Sequence, residues 1–213
     1  MGRVYEKAQL EAIAKLAKQY GVVVLSDEIH APLVLPGAVH VPFVSVSEPI
    51  GADAVTITSA SKAFNIAGLK CAVFVAGSPA MQSAMKKLPR ELPERVGLHG
   101  MLANIVAFNE CGEYLDGLIA QLDRNRTLMS ELLGVYLPAA RYIPPQAGYL
   151  AWVDCSALGL GDDPARFFLK KGKVALMRGL DFGRQGACFV RVNMGTSGAI
   201  LSEIVGRMNK ALD

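Results

Sequence analysis

The chain has 213 residues, 52% hydrophobic and 19% charged, with a formal charge of +3, which suits a globular chain burying one large core or two small ones. Its basic residues are scattered, paired at Lys86-Lys87 and Lys170-Lys171 rather than set in a stripe with aromatics, so nucleic-acid binding is not expected. No apolar run reaches the roughly 18 residues of a membrane-spanning helix, and no charged-then-apolar leader opens the chain, so the expected location is the cytoplasm. The four cysteines, Cys71, Cys111, Cys155 and Cys188, lie far apart without a CxxC spacing. That argues against zinc or a redox pair and predicts reduced, buried, structural thiols.

In chain order, "KAQLEAIAKLAKQYG" sets Leu10, Ile13, Ala14, Leu16 and Ala17 at helical spacing and stops at Gly21, where a left-handed C-cap is expected. "VVVLSDE" follows, a continuous valine-rich run of the kind found in strands covered on both faces. After a proline-rich loop, "DAVTITSAS" and "CAVFVAG" read as two further strands, so the first half predicts an α/β sheet. Residues 98–111 and 113–136 are helical by periodicity, and the second helix is long enough to connect two domains. "GYLAWVDC", "KVALM" and "ACFVRVNM" then read as strands, with helices at "DPARFFLKK" and "SGAILSEIVGRMNKAL". This is a smaller α+β unit, and the predicted domains are residues 1–112 and 113–213.

Ligands of open α/β sheets bind beyond the carboxyl ends of the strands, which singles out Asp27 and Lys62. A carboxylate after a wholly apolar run needs a cationic or hydrogen-bonding partner; a loop or cap hydrogen bond for Asp27 is an equal alternative. Around Lys62, Ser59 and Ser61 can hydrogen-bond an anionic group, Phe64 and Ile66 can exclude water, and Gly68 permits close approach of another segment. A partly desolvated lysine gives up its proton more readily, which makes it a nucleophile able to form an imine and to carry protons. In "ACFVRVNM", alternation puts Phe189, Arg191 and Asn193 on one face and Val190, Val192 and Met194 on the other. An arginine in so apolar a strand needs an anion, and its planar fork suits a carboxylate, a structural salt bridge being the alternative. Trp152 reads as core packing.

"SDEIHAPLVLPG" followed by "TSASKAFNIAGLKCA" resembles the class I/II, fold-type-I pyridoxal-phosphate-dependent aminotransferase family, and most of all its cystathionine β-lyase or cysteine-S-conjugate β-lyase branch. The similarity continues through "GYLAWVDCSALGL" and "FVRVNMGTS". It implies an α/β fold: part of the large domain, a mostly parallel sheet with helices, followed by a smaller α+β C-terminal domain. It also implies pyridoxal 5'-phosphate as cofactor, Asp27 paired with its pyridine nitrogen, and Lys62 as the residue condensing with its aldehyde. His30 would face the ring's phenolic oxygen, and Ser59 and Lys70 would contact the phosphate with Ser61 beside them. Arg191 would take the substrate carboxylate, with Gly148 and Tyr149 bordering the pocket.

The activity so implied is carbon–sulfur β-lysis of cystathionine or another cysteine S-conjugate, releasing a thiol, pyruvate and ammonia, in a homodimer acting on a small amino acid. An aminotransferase is the alternative enzyme, and a non-catalytic fragment or interaction module the alternative of another class. Met1-Gly2-Arg3 resembles the tail of the family's Asn-Pro-x-Gly-Arg motif, so the match is to the C-terminal portion of the pattern. The expectation is a truncated form with an exposed sheet edge and an uncovered apolar face.

Overall fold

Helix α1 (Lys7–Tyr20) is set by its ends: Glu6 and Gln9 exchange capping hydrogen bonds, and Gly21 turns left-handed at φ 62° to stop it. Leu10, Ala14 and Ala17 are buried, whereas Ile13 and Leu16 of the predicted stripe face outward. The structure, a computed structural model, describes residues 2–213, so Met1 of the Met1-Gly2-Arg3 match lies outside the described residues. Strand β1 (Val24–Asp27), helix α2 (Phe43–Ile50) and strands β2 (Ala54–Thr58) and β3 (Val73–Ala76) follow. They form a sheet of order β1-β2-β3, with β1 and β2 parallel in the register Val24 opposite Ala54 to Asp27 opposite Ile57. β3 runs antiparallel to β2, so the sheet is mixed.

One face of this sheet packs on the helices: Val24 and Ala54 join Leu10, Ala14, Phe43 and Val46 in a core. On the opposite face the central Val55 is buried, but the flanking strands leave Leu25 68% and Phe74 52% exposed. The run "VVVLSDE" is therefore covered on one face, not on both as its composition predicts. Helices α3 (Pro79–Met85), α4 (Glu91–Glu94) and α5 (Leu98–Glu110) lead to the long α6 (Gly112–Tyr136).

Strands β4 (Arg141–Tyr142) and β5 (Leu150–Asp154), helix α7 (Pro164–Gly172), strands β6 (Met177–Arg178) and β7 (Phe189–Asn193), and helix α8 (Gly198–Lys210) complete the chain. The second sheet has the order β4-β5-β7-β6 and is antiparallel throughout. Its inner face, with Val153, Val190 and Val192, packs against Met129 and Leu133 of α6, Phe168 of α7 and Leu201 and Val205 of α8. Of the predicted strand "KVALM" only Met177 is in a strand, as the first residue of the two-residue β6. Lys173 ends α7 in a left-handed conformation, Val174 is drawn back to donate to the Phe168 carbonyl, and a 3-10 turn begins at Gly179. Little chain is left between them to pair.

The chain divides into two compact units, one of residues 4–118 and one of residues 119–213 with Gly2 and Arg3, and α6 contributes to both. All four cysteines are free; Cys71 and Cys155 are buried, but Cys111 and Cys188 are only half-buried, which corrects the expectation that all are core thiols. Burial pushes the Cys155 thiol up to about 12. Among the described residues no helix is long and apolar enough to cross a membrane.

Candidate active site

β1 and β2 are parallel, so the chain leaves both strands at the same edge of the sheet, Asp27 ending one and Ser59 following the other. Asp27 is exposed and accepts a hydrogen bond from the Ile29 N–H at 3.2 Å. The apolar residues before it do not enclose its carboxylate, so it needs no cationic partner. The enclosed carboxylate is that of Glu28, whose side chain is 9% exposed. It accepts from the Ser26 hydroxyl at 2.8 Å, the Phe43 N–H at 2.9 Å and the Thr56 hydroxyl at 3.2 Å, with His40 Nε2 at 3.0 Å. Glu28 thus binds the end of β1 to β2 and to the start of α2, fixing the backbone that presents Asp27. His30 opens a 3-10 turn over Ala31–Leu33 and is half-buried.

The turn after β2 is held from beneath. Ser59, 2% exposed, donates to the Cys71 carbonyl at 2.6 Å, accepts from the Ser61 N–H at 3.0 Å and lies 2.7 Å from the Ser61 hydroxyl. The Ala60 N–H donates to Asn104 Oδ1 at 2.9 Å, and the Asn104 amide donates back to the Gly100 carbonyl at 2.9 Å. Helix α5 comes so near that a Cβ on Gly100 would lie 2.5 Å from the Leu69 carbonyl oxygen. Gly68, to which the sequence assigns that role, faces open space. Phe64 meets Phe108 edge-on and stacks on Tyr114 at 5.9 and 6.0 Å between centroids. Asn65 and Lys70 adopt positive φ, 55° and 49°, so the segment bearing Lys62 is bent at a cost its anchors must offset. Lys62 itself is half-buried, and among the described residues no carboxylate lies within 4.0 Å of its ammonium. Lys70 is exposed.

In the second unit the alternation of β7 is as the sequence predicts: Val190 and Val192 are buried and Arg191 points to the other face, half-exposed. Among the described residues no carboxylate lies within 4.0 Å of the Arg191 guanidinium, so the structural salt bridge weighed for it is absent. Tyr149 is its neighbour. Burial pushes the Tyr149 phenol up, and the charge of Arg191 partly opposes that shift. Trp152 is not core: it lies opposite Arg191 in the β5–β7 ladder, on the outer face, because Ala151 and Val153 take the inward positions. Asp27, His30, Ser59, Ser61, Lys62 and Lys70 therefore belong to one unit, and Tyr149 and Arg191 to the other.

Sequence reasoning misses Glu28, Asn104 and Gly100. The only signal for Glu28 was a second carboxylate beside an apolar strand, and its donors come from residues 26, 40, 43 and 56.

Known proteins resemble this chain along nearly all of its length. The cystathionine beta-lyase PatB of Bacillus subtilis is 36% identical over 99% of this chain and 55% of its own. The cystathionine beta-lyase of Corynebacterium glutamicum is 34% identical over 100% of this chain and 56% of its own. The crystal structure of cystalysin from Treponema denticola, which contains a pyridoxal 5'-phosphate cofactor, superposes with a TM-score of 0.90 at 30% identity, covering 99% of this chain and 54% of that one. The chain spans about half the length of the curated relatives it matches. With residues 1–208 matching the family described as aminotransferase class I and II, the chain belongs to that family.

Proposed function

We propose that this chain carries the lysine-bearing part of a pyridoxal-phosphate-dependent carbon–sulfur β-lyase acting on cystathionine or another cysteine S-conjugate. The observation that carries the reading is Lys62: a half-buried ammonium with no carboxylate within 4.0 Å among the described residues, on a strained and anchored turn, at the sheet edge where Asp27 also emerges. The relatives named cystathionine beta-lyase at 34 and 36% identity support the choice of reaction.

The donor set fits the cofactor. Asp27 offers an exposed carboxylate able to hold a proton on a pyridine nitrogen, and Lys62 a primary amine for an aldehyde. Ser61 and Lys70 would meet the phosphate, with Ser59 exchanging its bond to the Cys71 carbonyl for one to the phosphate; Lys70 brings a point charge without a bidentate fork. His30 would stand by the ring oxygen. Bound pyridoxal phosphate supplies an electron-withdrawing ring that stabilises negative charge at a substrate's α-carbon. Arg191 would hold the substrate carboxylate beside Tyr149, and the Lys62 amine would take the α-proton. In the whole protein the same residues serve elimination of a β-thiolate or amino transfer. We place that protein in the cytoplasm as a homodimer, and its free cysteines fit a reducing compartment.

The test is chemical. After incubation with pyridoxal phosphate and reduction with borohydride, the cofactor's mass should appear on the peptide containing Lys62 and vanish in Lys62→Ala. If the label spreads over surface lysines and Lys62→Ala takes up as much, the assignment fails and a non-catalytic module becomes the better account. For a labelled protein, pyruvate release from cystathionine separates the lyase from keto-acid-dependent amino transfer.

A further inference from the structure

Three neutral side chains, Trp152, Met177 and Phe182, are arranged around Arg191. In the second sheet it lies between Trp152 of β5 and Met177 of β6, its register partners on either side. Its Nη2 is in close contact with the Met177 thioether sulfur, and its Cζ lies 4.6 Å from the centre of the Phe182 ring. Phe182 meets Trp152 edge-on at 5.5 Å, and Trp152 stacks on Phe189 at 5.3 Å. The guanidinium therefore rests on a wall of aromatic rings that is itself packed.

Phe182 reaches this position through two glycines. It ends the 3-10 turn Gly179–Phe182, and a Cβ on Gly179 would lie 2.0 Å from the Gly186 carbonyl oxygen, as would one on Gly186 from that of Gly179. Only with both lacking side chains can the two ends of the 179–186 loop close and bring the ring over Arg191. The loop is also tied at its base, where Arg178 pairs with Asp163 at 2.8 Å.

A half-exposed arginine beside four apolar neighbours would ordinarily be expected to hold an acidic partner. Here the ring quadrupole and a thioether lone pair orient the cation without neutralising it. A carboxylate in the same place would orient it equally well but cancel the charge a ligand needs.

We propose that Phe182, supported by Trp152 and Met177, is a positioning residue that aims the Arg191 guanidinium and leaves its full charge to the α-carboxylate of the amino-acid substrate. The inference rests on Arg191 being the carboxylate site. Trp152 is the only tryptophan of the chain, so its emission reports directly on the cradle.

The experiment titrates the full chain with L-alanine, and with ethylamine as the analogue lacking the carboxylate. The unsubstituted chain should give a saturable change in Trp152 emission with L-alanine and none with ethylamine. Phe182→Leu should weaken the apparent L-alanine affinity about three- to tenfold, and Phe182→Tyr, which keeps the ring, should restore it. Met177→Leu, which keeps the bulk and removes the sulfur, should weaken it about two- to fivefold and decides the matter should Phe182→Leu not fold. If both variants bind L-alanine as the unsubstituted chain does while Arg191→Gln abolishes the response, the cradle is overturned and the carboxylate site stands. If Arg191→Gln responds unchanged, or the unsubstituted chain does not respond, the carboxylate site is what fails.

Discussion

Asp27 and Glu28 are adjacent carboxylates with opposite circumstances, and the difference decides which of them can do chemistry. Asp27 spends one acceptor position on the Ile29 N–H and is otherwise exposed. Glu28 is saturated by Ser26, Phe43, Thr56 and His40, which makes it a structural anion despite its place in the motif. Removing it leaves two hydroxyls and one N–H without their acceptor in a half-buried site, and hydrogen bonds to a charged group are among the stronger ones. Glu28→Ala is expected to destabilise the 4–118 unit by about 3 kcal/mol, seen as a lower urea midpoint, with Glu28→Gln losing less because it keeps one acceptor oxygen. A variant as stable as the unsubstituted chain would mean that water replaces the network at no cost.

At the scale of elements, the turn bearing Lys62 is a loop made rigid by a helix. Two links carry this: the Asn104 amide, which bridges the Ala60 N–H and the Gly100 carbonyl, and the contact of Gly100 with the Leu69 carbonyl. Gly100→Ala forces α5 and the turn apart, because the new methyl would meet backbone rather than a yielding side chain. The expected result is a loss of about 1–3 kcal/mol, typical of overpacking, together with slower and less selective cofactor labelling at Lys62; full labelling at the normal rate would show that α5 is dispensable for presenting the lysine. What the sequence discloses and what it conceals divide along the same line. The stop of α1 at Gly21 and the two faces of β7 were legible because each depends on residues within a few positions of one another. The part played by Gly100 was not, because its contact partner Leu69 lies 31 positions away and nothing in "LHGMLANIVAFNE" marks one glycine as touching a carbonyl. Trp152 was misplaced for a related reason: a lone tryptophan in an apolar strand looks like core until the inward positions are known to belong to Ala151 and Val153.

For the molecule as a whole, the open surface of the first unit matters as much as its site. Leu25 and Phe74 face outward from the sheet, and on α5 Leu98, Leu102 and Ile105 are more than half exposed. Among the described residues β1 pairs only with β2, so its other side is a sheet edge next to the exposed Leu25. Exposed apolar side chains beside a free strand edge are the ordinary conditions for association between copies. The chain also spans only about half the length of its curated relatives. At micromolar concentration it should sediment as species larger than one chain and bind a hydrophobic dye such as ANS. The double substitution Leu25→Lys and Phe74→Glu places opposite charges on the open face without touching the Val24–Ala54 core, so it should reduce both signals several-fold while leaving the thermal midpoint within a few degrees. A chain that sediments as a monomer and leaves the dye dark would show that these side chains are covered in solution.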